Sequence, residues 1–389
     1  MKKGIKLDTG PTLQRTELGW IISGPINMHQ KGQYPKFVFC KMEEVNPARF
    51  HNHEEKAREA DFIATHSRES DGRYVVSLPR RPCVSQLGDS LSTAEKRFKS
   101  LENFFLMNPE LKLQYLQFMQ EFEQLGHMEV CDKWKKDEQS YFLRHHAVIK
   151  EASATTKVRV VFDGSAKTST GISLNDALMV AVIQKDLYTI LLYFRTHRYV
   201  MTADIEKMYR QIYVRAADRS LQKIVWRESP EEELRHYKLK TVTYGLGPSS
   251  FLATRCLRQI GIDNYVNFPV ASQVIENDFY MDDLLTGGDD LDECIKLKKQ
   301  ICYILLAAGM TLRKWRSNVL EFSSGCGQGE IDKQGNCEKV ITYNSNNEKI
   351  LKLIWNNELD HLSYTISKPS GKCLNPPEIK SKTVLLVSK

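Results

Sequence analysis

Apolar positions along the 389-residue chain change texture near residue 141. Residues 1–35 read as short strands and turns: Leu13, then Trp20, Ile21 and Ile22, closed by Gly24 and Pro25. Residues 41–72 are polar and charged without sustained apolar period, which predicts a linker or a solvated surface segment. Arg73 to Leu78 spell a short strand stopped by Pro79. Two helices follow. Ser92-Thr93-Ala94-Glu95 has the form of a capping box, with Phe98, Leu101 and Phe105 behind it at helical spacing. Asn108-Pro109 restarts a helix, Asn as N-cap and Pro in the first position. Tyr115, Phe118, Met119, Phe122 and Leu125 mark its buried stripe, and Gly126 ends it. These aromatics are read as core, not as a cofactor box.

Beyond 141, strands dominate. Residues 141–150 and 157–164 are strand-like, and 173–198 are predicted mostly helical, with Leu187, Ile190, Leu191 and Phe194 as the buried face. Strands are predicted at 199–205, 211–214, 221–226, 237–243 and 279–285, with helices at about 248–260 and 290–308. A sheet covered by helices on one face satisfies that order, an α+β architecture.

Composition narrows the classes. The length allows two or three domains of roughly 100–200 residues each. With 41% hydrophobic and 26% charged residues, the chain is neither disordered throughout nor collagen-like. No apolar run approaches the roughly 18 residues of a membrane span, and no apolar stretch follows Lys2-Lys3, so neither a transmembrane helix nor a signal peptide is expected. A net charge of +7 permits a nucleic-acid partner without requiring one. The nine cysteines form no CxxC pair, which predicts reduced intracellular thiols instead of a disulfide frame or zinc site.

The candidate chemistry lies in acids at strand ends. Asp204 closes the apolar strand that starts Tyr199-Val200-Met201, and Asp282-Asp283 interrupts the run from Phe279 to Leu285. Carboxylates inside an apolar strand are costly unless paired or bound to cations. Three of them from separated strands can seat two Mg²⁺ roughly 3.5–4 Å apart, the clamp of an in-line phosphoryl transfer. Taken alone, Asp282-Asp283 also reads as a solvent-facing turn, and Tyr209 as a core aromatic.

Asp204 with Tyr209 five residues on, then Tyr280-Met281-Asp282-Asp283, resembles the palm of reverse transcriptases. Residues 141–176, 203–212, 243–255 and 308–318, with 72–79, 87–102 and 108–128 upstream, resemble the BEL/Pao-type LTR retrotransposon Pol polyprotein in particular. The resemblance spans roughly residues 10–365. It implies a right-hand polymerase palm and fingers, an antiparallel sheet with helices on one face, preceded by a small β-rich protease remnant and a helical connector. The implied parts are a retropepsin-like remnant at 1–40, a linker at 41–72, a connector at 73–140, fingers and palm at 141–320, and a primer-grip or connection remnant with a tail at 321–389.

The same resemblance assigns roles. Asp204, Asp282 and Asp283 are catalytic metal ligands, joined by the main-chain carbonyl of Ile205. The metal is Mg²⁺, two ions, with Mn²⁺ as a substitute. Tyr209 lies under the incoming sugar and excludes a 2′-hydroxyl. Arg159 lies on the triphosphate, and Lys150 corresponds either to a fingers lysine near the γ-phosphate or to a surface residue. Tyr244 and Gly245 pack on the template base and nucleotide; Lys314 protonates pyrophosphate, a role open also to Arg313 and Arg316. Ser250 stands where the family places a proline, and Lys352 where it places a glycine. The partners implied are an RNA or DNA template with its primer, and dNTPs, in a cytoplasmic setting or a virus-like particle and without a membrane.

Two other readings stand beside this one: a truncated, catalytically inactive nucleic-acid-binding remnant, and an aspartic peptidase using Asp8 of the Asp8-Thr9-Gly10 triplet. No strand precedes that triplet, so Asp8 is read as non-catalytic. His145-His146, His51 and His53 have no cysteine or further histidine at ligand spacing and are read as structural or solvated.

Overall fold

The computed structural model describes residues 5–6, 12–16, 19–23, 53–131, 139–149, 158–180, 186–319 and 322, with the strand residues 348–350, 353–356, 361–364 and 384–387. It divides into two compact units, Met1–His51 and Asn52–Lys389. In the first, β1 (Ile5–Lys6), β2 (Thr12–Thr16) and β3 (Gly19–Ser23) form an antiparallel three-stranded sheet. β1 precedes the Asp8-Thr9-Gly10 triplet, a correction to the reading that no strand does; Asp8 itself lies outside the described residues.

The second unit starts earlier than the sequence pattern implies. α1 (His53–Thr65) and the hairpin of β4 (Ser67–Arg68) and β5 (Tyr74–Val76) fall largely within the segment expected to be a linker. α1 buries Phe62 and Arg58, two side chains that join the core through cation–aromatic stacking. The Arg58 guanidinium lies 4.6 Å over the Phe251 ring, and Arg255 lies 4.4 Å over Phe62 and pairs with Glu59 at 2.8 Å. An arginine used as packing material carries no apolar period, which is why this helix is silent in the pattern.

α2 (Leu91–Met107) buries Ala94, Phe98, Leu101 and Phe105 as predicted. Its expected capping box at Ser92 does not form. Asp89 caps the helix, accepting from the backbone N–H of Leu91 at 3.0 Å and the Ser92 hydroxyl at 2.6 Å. α3 (Pro109–Gln124) follows Asn108 directly and buries Leu111, Tyr115, Met119 and Phe122. Leu125 is exposed, because the helix ends one residue before it and Gly126 turns the chain at φ +68°.

After β6 (Met128–Val130), β7 (Arg144–Ile149) and β8 (Val158–Asp163) pair antiparallel from Arg144↔Asp163 to Ile149↔Val158. The stretch expected to be mostly helical holds two short helices. α4 (Leu174–Ala177) is opened by a capping box between Ser173 and Asp176, and α5 (Leu187–Phe194) buries Ile190 and Phe194. Next come β9 (Tyr199–Ile205), β10 (Tyr213–Val214), β11 (Lys223–Trp226) and β12 (Arg235–Leu239). β10 joins β5 in parallel, and β11, β12 and β6 form a small antiparallel sheet.

α6 (Ser249–Asn264), α7 (Pro269–Asn277), β13 (Phe279–Tyr280), β14 (Asp283–Gly288), α8 (Leu291–Ala307) and β15 (Leu312–Ser317) complete the central body. Its sheet runs β13-β14-β9-β15, antiparallel throughout. Alternation sorts its residues by face. Met201, Ala203, Ile205, Leu284 and Leu312 enter the main core with Leu252, Ile275 and Ile301 of the helices α6, α7 and α8. Val200 and Leu285 form a second cluster with Ile190 and Phe194 of α5 and with Trp355. Both faces are therefore covered, a correction to the expectation of helices on one face only. Trp355 belongs to β17 (Leu353–Asn356), which lies with β16 (Glu348–Ile350), β18 (His361–Tyr364) and β19 (Val384–Val387) in a further antiparallel sheet. The mixed α+β class holds. Among the described residues, no helix is long and apolar enough to cross a membrane.

Candidate active site

The register of the central sheet brings the acids together. Asp204 of β9 is the direct cross-strand partner of Asp283 of β14, so both side chains leave the same face, that of Val200 and Leu285. Tyr280 pairs with Asp283, which leaves Met281-Asp282 as a two-residue hairpin loop. Met281 has φ +58°, a strained value for a residue with a side chain and one that costs about 1 kcal/mol or more. The loop is pinned to β9 by a 2.8 Å hydrogen bond from the Ile205 N–H to the Asp282 carbonyl.

Three carboxyl groups crowd this hairpin end. Burial, then the charges of Asp282 and Asp204, push the Asp283 carboxyl up to about 7. Partial desolvation, with the Asp204 charge, raises the Asp282 carboxyl too, although its side chain is exposed. The relief is Lys314. Its Nζ lies 2.9 Å from Asp204 Oδ2, reached from a β-bulge in which Lys314 itself has φ +54°. Beside it Arg313 pairs with Glu206 at 2.7 Å. Asp204 Oδ1 is buried without a hydrogen-bond partner.

Among the described residues, no group of three or more His, Cys, Asp or Glu side chains is arranged to hold a metal ion. The backbone register sets Asp204 opposite Asp283 and beside the loop that carries Asp282. As the side chains stand, Asp204 is neutralised by Lys314, and the three carboxylates do not form a closed ligand set.

The other candidate residues border the same end of the sheet. Tyr209 sits in the 3₁₀ turn Met208–Gln211 after Asp204, half-buried, its hydroxyl 3.3 Å from the Ser250 hydroxyl at the start of α6. Burial raises its hydroxyl pKa, and the Asp282 charge acts the same way. Arg159 points outward from β8, and its charge works weakly against the rise that burial causes in Asp282 and Tyr244. Tyr244 donates to the Val160 carbonyl at 2.6 Å and packs on Phe162, ring centroids 5.6 Å apart. Gly245 follows at φ +96°; a Cβ there would stand 1.9 Å from the Phe162 carbonyl oxygen, so only glycine permits this approach. Lys150 and Lys352 lie outside the described residues.

Three residues that the pattern did not single out join these parts. Asn175 accepts from the Gly247 N–H at 2.8 Å and donates to the Gly245 carbonyl at 3.2 Å, clamping the Tyr244 loop to α4. Arg210 and Glu121 tie the 3₁₀ turn to α3. The only available signal was their position, Arg210 directly after Tyr209 and Asn175 within Ser173–Asp176. His145 is structural, as expected. It is buried, 2.5 Å from the Tyr115 hydroxyl and 2.9 Å from the Val225 carbonyl, and burial pushes it down to about 4. His51 and the side chain of His53 lie outside the described residues. No protein-family model matches the chain, and no curated protein matches it.

Proposed function

We propose that this chain is the polymerase part of a BEL/Pao-type retrotransposon polyprotein, adding dNTPs to a primer 3′-hydroxyl on an RNA or DNA template. In this reading the central body is palm and β7-β8 with its surroundings the fingers. The observation that carries it is the cross-strand pair Asp204↔Asp283 with Asp282 in the adjoining hairpin loop. A strained loop and three acids in mutual repulsion are expensive for folding alone, and they make sense where cations are to be seated.

The donor set fits a hard divalent cation. It is all oxygen, and one buried oxygen of Asp204 is unpartnered. Asp204, Asp282 and Asp283, with the Ile205 carbonyl, would hold Mg²⁺ or Mn²⁺. When bound, such ions supply positive charge to the primer oxygen and the leaving pyrophosphate. The chain's own residues do the rest. Arg159 offers a bidentate fork to phosphate oxygens. Tyr209, fixed by Ser250, presents its ring to the sugar. Lys314, whose Nζ lies 2.9 Å from Asp204 Oδ2, would supply a proton to the leaving pyrophosphate if a bound cation took its place on that acid.

One observation favours the second reading, an inactive nucleic-acid-binding remnant: Lys314 already neutralises Asp204, and the side chains do not form a ligand group as placed. Primer extension on poly(rA)/oligo(dT) with Mg²⁺ decides. The polymerase reading predicts incorporation that drops by three orders of magnitude or so in Asp282→Asn/Asp283→Asn. Equal incorporation in both proteins contradicts the assignment of the acids; binding of primer–template without incorporation in either supports the remnant.

A further inference from the structure

We propose that Glu206 is a positioning residue that holds the Arg313 guanidinium off Asp204 and leaves that acid to the Lys314 ammonium, an inference that rests on the reading of the three acids as a cation site. The register of β15 doubles the cations at this end of the sheet. Leu312 pairs with Ile205 and Arg313 with Asp204, but the next partner, Thr202 of β9, stands opposite Arg316. Three residues of β15 thus advance against two of β9, a β-bulge with one extra residue. Leu312 is buried in the main core and Trp315 packs against that core, with Lys298 of α8 4.6 Å over the indole. Two residues instead of one lie between these core-facing positions, so Arg313 and Lys314 both serve the opposite side, where the acids are. Lys314 takes the extra place, at φ +54°.

Asp204 therefore has two cationic neighbours on β15 and pairs with one. Arg313 is its direct cross-strand partner in the backbone. Yet the contact is made by Lys314, with Nζ 2.9 Å from Asp204 Oδ2, while Arg313 Nε lies 2.7 Å from Glu206 Oε2. Glu206 is well placed to take the arginine. It stands two residues after Asp204, so alternation returns it to the same side. Its N–H donates to the Thr311 carbonyl at 2.9 Å, and its own carbonyl accepts from Gln211 Nε2 at 3.2 Å. Glu206 and Arg313 are both partly exposed, and such a pair adds little to stability. Its effect lies in which cation meets Asp204. A guanidinium clamps a carboxylate with two parallel N–H bonds, whereas an ammonium binds as a point charge. Clamped on both oxygens, it would also close Asp204 Oδ1, which Lys314 leaves open. The lysine is thus the competitor that a divalent ion displaces more readily. The Glu206 carboxylate also neutralises Arg313, whose charge would otherwise repel that ion.

Manganese uptake by the full chain, read by electron paramagnetic resonance without nucleic acid or nucleotide, tests this. Only the uptake that the Asp204→Asn/Asp283→Asn protein lacks is counted. Glu206→Gln should weaken that binding roughly tenfold, as an uncompensated guanidinium reaches the acids. Lys314→Met should tighten it severalfold in the wild-type background, because the competitor is gone. On the Glu206→Gln background the same change should tighten it little, since the guanidinium has replaced the ammonium. Adding Arg313→Gln should restore both the affinity and the gain from Lys314→Met. An equal gain from Lys314→Met in both backgrounds would mean that Glu206 acts only as a distant charge and would overturn the inference. Wild-type uptake by Glu206→Gln would overturn it too, and with a lowered melting temperature would mean a merely structural role. Glu206→Met takes the place of Glu206→Gln if that variant does not fold. A wild type that binds manganese while the variants behave additively defeats this inference alone; a wild type that takes up none at these acids defeats the cation-site reading and this inference with it.

Discussion

Asp283 carries a carboxyl held up at about 7, while an unperturbed aspartate titrates at about 4. Below the lower value, folded and unfolded chains both hold the proton and no penalty exists. Between the two, the unfolded chain has released its proton and the folded one keeps it, so folding is progressively disfavoured until pH 7 is passed. The cation-free protein should therefore lose stability as pH rises from about 4 to 7. Asp283→Asn should remove that loss, gaining on the order of 2 kcal/mol at pH 7.5 and little at pH 4 once the partial exposure of the site is allowed for. Denaturant midpoints at the two pH values check it; an Asn variant with the wild-type pH slope would refute the like-charge account.

At the level of elements, the segment from α1 to β5 belongs to the main core. Phe62, Tyr74, Val75, Val76 and Leu78 are buried in it, which amounts to on the order of 10 kcal/mol of apolar burial, as much as a whole domain's net stability. A chain beginning at residue 79 should therefore be insoluble or melt far below one beginning at residue 53, as solubility and thermal scans would reveal; matching melting curves would show that the segment is dispensable. This is also where sequence reading met its limits. The strand 199–205 and the helices from 91 and 109 were legible because their apolar residues keep a period. α1 was not, since its buried face is arginine and phenylalanine. α7, nine residues between Phe268 and Asp278, was too short to declare itself. β14 runs on past the expected end at Leu285 to Gly288, with Gly287 and Gly288 pairing with Val200 and Tyr199. The acids were found because carboxylates break an apolar run. Arg210 and Asn175 were not, since their partners are distant in sequence and their roles exist only in the packed structure.

Over the whole molecule, the functional account reduces to one physical claim: Asp204, Asp282 and Asp283 are destabilising alone and become a cation site when the ligand arrives. Lys314, paired with Asp204 at 2.9 Å, sets one positive charge against these acids. Manganese is the direct probe, since it takes the same oxygen ligands as Mg²⁺ and is visible by electron paramagnetic resonance. Titrating Mn²⁺ into the full chain with primer–template and an unreactive dNTP analogue should show bound manganese in the wild type. The account predicts that this binding is lost in Asp204→Asn/Asp283→Asn, at unchanged primer–template affinity. Equal manganese uptake by the two proteins would contradict it.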